Sequence, residues 1–199
     1  MKVKSSIDKG LVLFKNKKFD EAIETLNQAL GELEDKNSQI EEQNNIQFLL
    51  GCCYFEQARK SKGEIATKLF DQAVEHYRRQ QELAKQLTDE QKSLQEQIYA
   101  QSLLGRCYLE QAMKAEGKSA VKLFDQAVKH YRQQLSFTKQ LEDKQDSLQR
   151  QSNAQSWLGR CYLEQAMKAQ GKESEQLFGR AVEHHQQQLK LAEQLTNKQ

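Results

Sequence analysis

The chain has 199 residues, and Lys+Arg 30 against Asp+Glu 28 leaves a formal charge of only +2, so no global field steers it to nucleic acid or an anionic membrane. At 37% hydrophobic, 29% charged and 8% aromatic it is polar for one compact globule and too apolar for a disordered tail. Nine glycines and no proline argue against a sandwich or barrel, whose turns draw on both, and an all-α fold is expected.

The opening segment, MKVKSSIDKGLVLF, has a short apolar run from Leu11 to Phe14. A signal peptide needs about seven apolar residues and a membrane span about eighteen, so neither is expected there. Gly10, Leu13, Phe19, Ala22, Ile23, Leu26, Ala29 and Leu30 then mark two short amphipathic helices within residues 3–36.

From there the chain repeats itself. Leu50-Gly51-Cys52-Cys53-Tyr54, Leu104-Gly105-Arg106-Cys107-Tyr108 and Leu158-Gly159-Arg160-Cys161-Tyr162 stand 54 residues apart. Phe70, Phe124 and Phe178 keep the same interval, as do Ala73-Val74, Ala127-Val128 and Ala181-Val182. Fixed-period self-similarity is the mark of a solenoid. The units run over about 37–89, 90–143 and 144–199. In the first arm of the unit 90–143, Leu94, Ile98, Leu104, Cys107, Tyr108 and Ala112 recur at three- and four-residue steps. In its second arm Phe124, Ala127, Val128, Tyr131, Leu135, Thr138 and Leu141 do the same. Gly63, Gly117 and Gly171 fall between the arms, where the first helix is expected to end in a left-handed residue. Thr88-Asp89, Glu142-Asp143 and Asp146-Ser147 punctuate the units. A hairpin with one apolar stripe on each arm cannot cover itself, so neighbours must stack on it.

Cys53, Cys107 and Cys161 share the 54-residue spacing, and Cys52 adjoins the first. Equivalent positions in stacked units lie roughly 10 Å apart, beyond the ~7 Å that a disulfide spans. Reduced thiols used as small core residues, and a cytoplasmic location, are the expectation.

The N-terminal spacing of Gly10, Leu13, Ala22, Ile23 and Ala29 resembles a tetratricopeptide (TPR) repeat. Gly51/Tyr54/Ala73/Tyr77, Gly105/Tyr108/Ala127/Tyr131 and Gly159/Tyr162/Ala181/His185 fill the same roles later in the chain. The phrases AVEHYRRQQELAKQL and AVEHHQQQLKLAEQL are similar to the second helix of longer-period TPRs in kinesin light chain-like and bacterial multi-repeat proteins. Gly51 to Ala73 is 22 residues against 12 from Gly10 to Ala22, which predicts each arm lengthened by roughly ten residues, to about 22–25, or ~35 Å. The resemblance implies a single TPR-like domain over 1–199, an α-α superhelix of antiparallel helical hairpins wound as a short right-handed solenoid.

The family binds other proteins, typically a peptide or helix along a concave face lined by the first helices. Carried over from the matched glycines, the lining positions are Phe48, Leu49, Cys52, Phe55 and Glu56, then Ser102, Leu103, Arg106, Leu109 and Glu110, then Ser156, Trp157, Arg160, Leu163 and Glu164. An apolar strip holding two arginines and the only tryptophan suits recognition. The alternative is ordinary packing between units, with Arg106–Glu110 and Arg160–Glu164 as intrahelical ion pairs. The asparagine positions of the chaperone-tail carboxylate clamp are Leu49, Leu103 and Trp157 here, so a partner chosen by a C-terminal acidic motif is not expected.

Catalytic patterns are thin. Gly117-Lys118-Ser119 resembles the end of a phosphate-binding loop, but position 112 is alanine and no strand precedes it. Arg180-x4-His185 matches the short motif of the helical HEPN ribonucleases, yet Gln72…Tyr77 and Gln126…Tyr131 occupy the same repeat positions. His76, His130 and His184 recur at 54 residues and read as half-exposed helix residues rather than metal ligands. Lys15, Lys17 and Lys18, and Arg78-Arg79, read as solvated faces. The expectation is therefore a non-enzymatic scaffold for a protein or peptide partner, with no cofactor, metal, nucleic acid or membrane. An unrecognised helical enzyme using Arg180 and His185, and a self-assembling module, are the alternatives. The last helix carries Leu189, Leu191 and Leu195 without a following cap, so it is expected to pack against a second copy, as a homodimer, or against a further domain.

Overall fold

The computed structural model describes residues 2–33 and 39–196. The described residues form eight helices and no strand: α1 (Lys2–Lys15), α2 (Phe19–Gly31), α3 (Ile40–Lys60), α4 (Gly63–Ala84), α5 (Glu90–Lys114), α6 (Gly117–Thr138), α7 (Lys144–Lys168) and α8 (Gly171–Thr196). The fold is all-α, a repeated helical hairpin. Arms of 21 to 26 residues replace the 13- and 14-residue arms of the first hairpin, as the spacing between matched glycines and alanines predicts.

The hairpin turns follow from local chemistry. Lys17 closes α1 in the left-handed region at φ 61°. Its N–H donates to Phe14 O at 2.9 Å and that of Lys18 reaches back to Leu13 O at 3.0 Å, which satisfies two orphan carbonyls. Gly63, Gly117 and Gly171 are left-handed as expected, at φ 57°, 57° and 58°. They stand one step later than expected, however: they open α4, α6 and α8 instead of ending the preceding helix. The first arms end earlier because Ser61, Ala115 and Ala169 already turn back to the last carbonyls, Ser61 N–H to Gln57 O at 3.1 Å for example. Asp89 and Asp143, polar punctuation in the sequence, cap α5 and α7. Asp143 Oδ1 accepts from the N–H groups of Gln145 and Asp146 at 2.8 and 2.9 Å, and Asp89 Oδ1 from Lys92 N–H at 2.9 Å.

The chain divides into two compact units, Met1–Glu96 and Gln97–Gln199. In the first, Ala22, Leu26, Ala29, Ile46, Leu50 and Cys53 build a core that α1, α2 and α3 share. In the second, Phe124, Ala127, Tyr131, Leu158, Cys161 and Tyr162 build the equivalent core. All four cysteines are free thiols, Cys52 half-buried and the other three buried. Burial, with Cys52 beside it, pushes the Cys53 thiol up to about 12, and burial does the same to Cys161. They act as small apolar core residues.

Candidate functional site

Three contacts recur in each long hairpin. First, an aromatic ring of the second helix fills the space left by the matched glycine of the first. A Cβ on Gly51 would come within 2.5 Å of the Tyr77 ring, and one on Gly105 within 2.8 Å of Tyr131. On Gly159 it would meet His185 at 2.7 Å. Second, a tyrosine stacks on a histidine: Tyr54 on His76, Tyr108 on His130 and Tyr162 on His184, with centroids 5.3 to 5.4 Å apart. Third, each of those histidines presents Nδ1 to a glutamine Oε1, Gln47 and Gln101 at 2.7 Å and Gln155 at 2.6 Å.

The histidines are thus half-buried packing residues, each held inside its own hairpin. Burial, and Arg79 after it, lowers the His76 imidazole to about 4, with Glu75 acting weakly the other way. Burial also lowers His184, helped by Arg132. Among the described residues no group of three or more His, Cys, Asp or Glu converges as metal ligands would. The glutamines were not singled out from sequence, although Gln47, Gln101 and Gln155 share the 54-residue interval, four residues before each glycine. A polar residue repeating inside an apolar stripe is the signal that could have found them.

The strip positions separate by burial. Leu49, Phe55 and Leu109 are core residues at 4%, 4% and 1% exposure, and Phe55 meets Phe70 edge-on at 6.0 Å. In the first unit Phe48 and Cys52 are half-buried, and Cys52 Sγ accepts from the Tyr77 hydroxyl at 3.5 Å. In the second unit Ser102, Leu103, Arg106, Ser156, Trp157, Arg160 and Leu163 are half-buried. Glu56, Glu110 and Glu164 are half-buried too.

Within that second unit one cluster stands out. Trp157 lies parallel to Tyr131, with centroids 5.7 Å apart. The Arg160 guanidinium sits 5.5 Å from the indole centroid. Arg160 also approaches Glu164 at 3.8 Å, so the intrahelical pair exists alongside the aromatic contact. The Tyr131 hydroxyl is buried with no hydrogen-bond partner. Burial foremost, then Cys161, holds this phenol well above its ordinary range, while Arg106 and Arg160 pull it down. Both strip arginines therefore bear on one tyrosine.

Arg180 and His185 make separate contacts on α7. Arg180 lies 5.7 Å over the Tyr162 ring, whereas His185 takes the place of Tyr77 and Tyr131 against the glycine of α7.

The last helix departs from its copies. Phe178, Val182 and Leu189 are 42%, 54% and 62% exposed, whereas on α6 the equivalents of the first two, Phe124 and Val128, are 0% and 8% exposed and that of the third, Leu135, is half-buried. The α6 residues share a core cluster with Tyr162, Leu158 and Cys161 of α7.

These contacts define a helical repeat protein with a partly open row of apolar and arginine side chains. Residues 3–32, which are α1 and α2, match the family model described as a tetratricopeptide repeat. Repeats of that family are generally protein–protein interaction modules. No curated protein matches the sequence. No helix among the described residues is long and apolar enough to cross a membrane.

Proposed function

We propose that the chain is a non-enzymatic protein–protein interaction scaffold that takes a peptide or helix along the concave face lined by the first helices of its hairpins. In this reading residues 1–199 work as one repeat domain in the cytoplasm. The observation that carries it is Trp157, half-exposed yet stacked on Tyr131 and covered by Arg160. A large aromatic held in place before binding loses little freedom on contact, and Trp and Arg are the side chains that dominate interface energetics. Arg106, Leu103 and Leu163 extend the surface around it. Affinity capture by the intact chain, beside a Trp157→Ala/Arg160→Ala variant of unchanged helicity and Tm, tests the assignment. A partner held by the first and lost by the second is expected. Equal recovery by both overturns it.

The exposed row Phe178, Val182 and Leu189 favours a second reading, a homodimer through α8. Sedimentation equilibrium over a concentration series is expected to show a dimer that Leu189→Glu abolishes. A monomer at every concentration removes this reading.

A further inference from the structure

Between α6 and α8 lies a groove of about 580 Å³, floored by Val128, Tyr162 and Leu177 and edged by Lys129, Arg132 and Arg180. Tyr162 is only 4% exposed. Arg132 donates to its hydroxyl oxygen at 2.9 Å, and Arg180 lies over its ring. The hydroxyl oxygen accepts this bond, which leaves its own O–H available as a donor at the floor of the groove. Lys129, Arg132 and Arg180 have no ion-pair partner among the described residues. Two acids, Asp125 and Glu173, share the lining and leave one net positive charge.

The repeats themselves supply the control. At the position of Lys129 the other units carry Glu75 and Glu183, and at the position of Arg180 they carry Gln72 and Gln126. Copies otherwise close in sequence thus depart from one another by placing two extra cations on opposite rims of one groove. Packing does not require either change, because both side chains are exposed. The equivalent groove of the first unit, over Tyr54, is lined instead by Asp20, Glu24 and Lys60.

We propose that the groove between α6 and α8 binds a short acidic peptide segment, its carboxylates on Lys129, Arg132 and Arg180 and an aliphatic side chain on Val128 and Leu177. The Tyr162 O–H supplies one further donor to a carboxylate oxygen. Carboxylate is favoured over a phosphate dianion because Asp125 and Glu173 repel a second negative charge held at one point. Tyr162 stands roughly 140° around α7 from Trp157, so this site is separate from the Trp157 strip.

The test is an NMR titration of the intact chain with the peptide Ac-Glu-Leu-Glu-Glu-Leu-NH2 and its all-Gln analogue. The acidic peptide is expected to bind at least about ten-fold more tightly, with amide shifts concentrated at Lys129, Arg132, Tyr162 and Arg180. Lys129→Glu/Arg180→Gln installs residues the other units already carry, so folding is retained, and affinity is expected to fall about ten-fold or more. Trp157→Ala/Arg160→Ala is expected to leave this binding intact, which keeps failure here distinct from failure of the strip. Equal affinity for the two peptides, an unaffected double variant or shifts elsewhere overturns the proposal. Full displacement of the peptide by millimolar inorganic phosphate overturns the peptide assignment in favour of a general anion site.

Discussion

Tyr131 stacks on Trp157 with ring planes 2° apart, and its own Cζ stands 2.8 Å from where a Cβ on Gly105 would be. One side chain of α6 thereby ties α5 to α7 and holds the tryptophan of the candidate strip in place. The glycine is therefore spatial in purpose, needed for close approach within an ordinary helix.

Gly105→Ala is expected to lower stability by about 1–3 kcal/mol, since the buried ring must move and its neighbours are packed. Gly179→Ala should act in the opposite direction, because nothing lies within 4 Å of a Cβ there and alanine is the better helix former by about 0.5–1 kcal/mol. Urea unfolding of the two variants against the parent chain checks both signs.

The two copies of one phenylalanine should respond unequally. Phe124→Ala removes a side chain of 0% exposure and is expected to lose about 3–5 kcal/mol. Phe178→Ala, at 42% exposure, should stay within about 1 kcal/mol under conditions where the chain is monomeric. Equal losses would mean that α8 is covered in solution.

His76 gives a pH dependence of defined sign. Its imidazole is lowered from 6.5 to about 4 by burial first and Arg79 second, with Glu75 opposing them. Tyr54 stacks on the ring and Gln47 bonds its Nδ1. The unfolded chain therefore takes up a proton that the folded chain refuses, and stability falls as pH drops from 6.5 towards 4. Thermal midpoints measured from pH 7.5 to 5 should decline, and less steeply in His76→Asn. An unchanged slope in that variant would remove His76 as the cause.

Thiol accessibility separates the cysteines. Cys53 and Cys161 are buried with thiols near 12, Cys107 is buried, and Cys52 is half-buried. A thiol reagent should label Cys52 first in the native protein and reach the others only after denaturation. Rapid labelling of all four would contradict the packed core.

Much of this was legible in the sequence. The three-and-four spacing of Leu104, Cys107, Tyr108 and Ala112 is that of an apolar helix face, and Leu104, Cys107 and Ala112 are fully buried. The 54-residue spacing singled out Gly51, Gly105 and Gly159, and in the fold each lies against a ring of the second helix. Less legible was the division of the strip. Leu49, Phe55 and Leu109 turn into the core while Trp157, Arg106 and Arg160 stay half open, because a position's rotation about its helix axis relative to two neighbours is not written in one helix's pattern. The groove over Tyr162 was missed for a related reason: Lys129 and Arg132 lie on α6 and Arg180 on α8, and they meet only across a packed α7.

By itself the sequence determined the helical hairpin, its 54-residue period, its long arms and its glycine and aspartate punctuation, since these depend on bonds and contacts between residues near in the chain. Beyond the missing cap on the last helix, tertiary structure decided how far each copy of a repeated residue is covered. Phe124 and Phe178 occupy the same place in nearly the same sentence of residues, yet one is buried and the other is not. Burial belongs to the neighbour that removes water from a surface, and the same apolar stripe is core or contact face according to whether a helix lies on it.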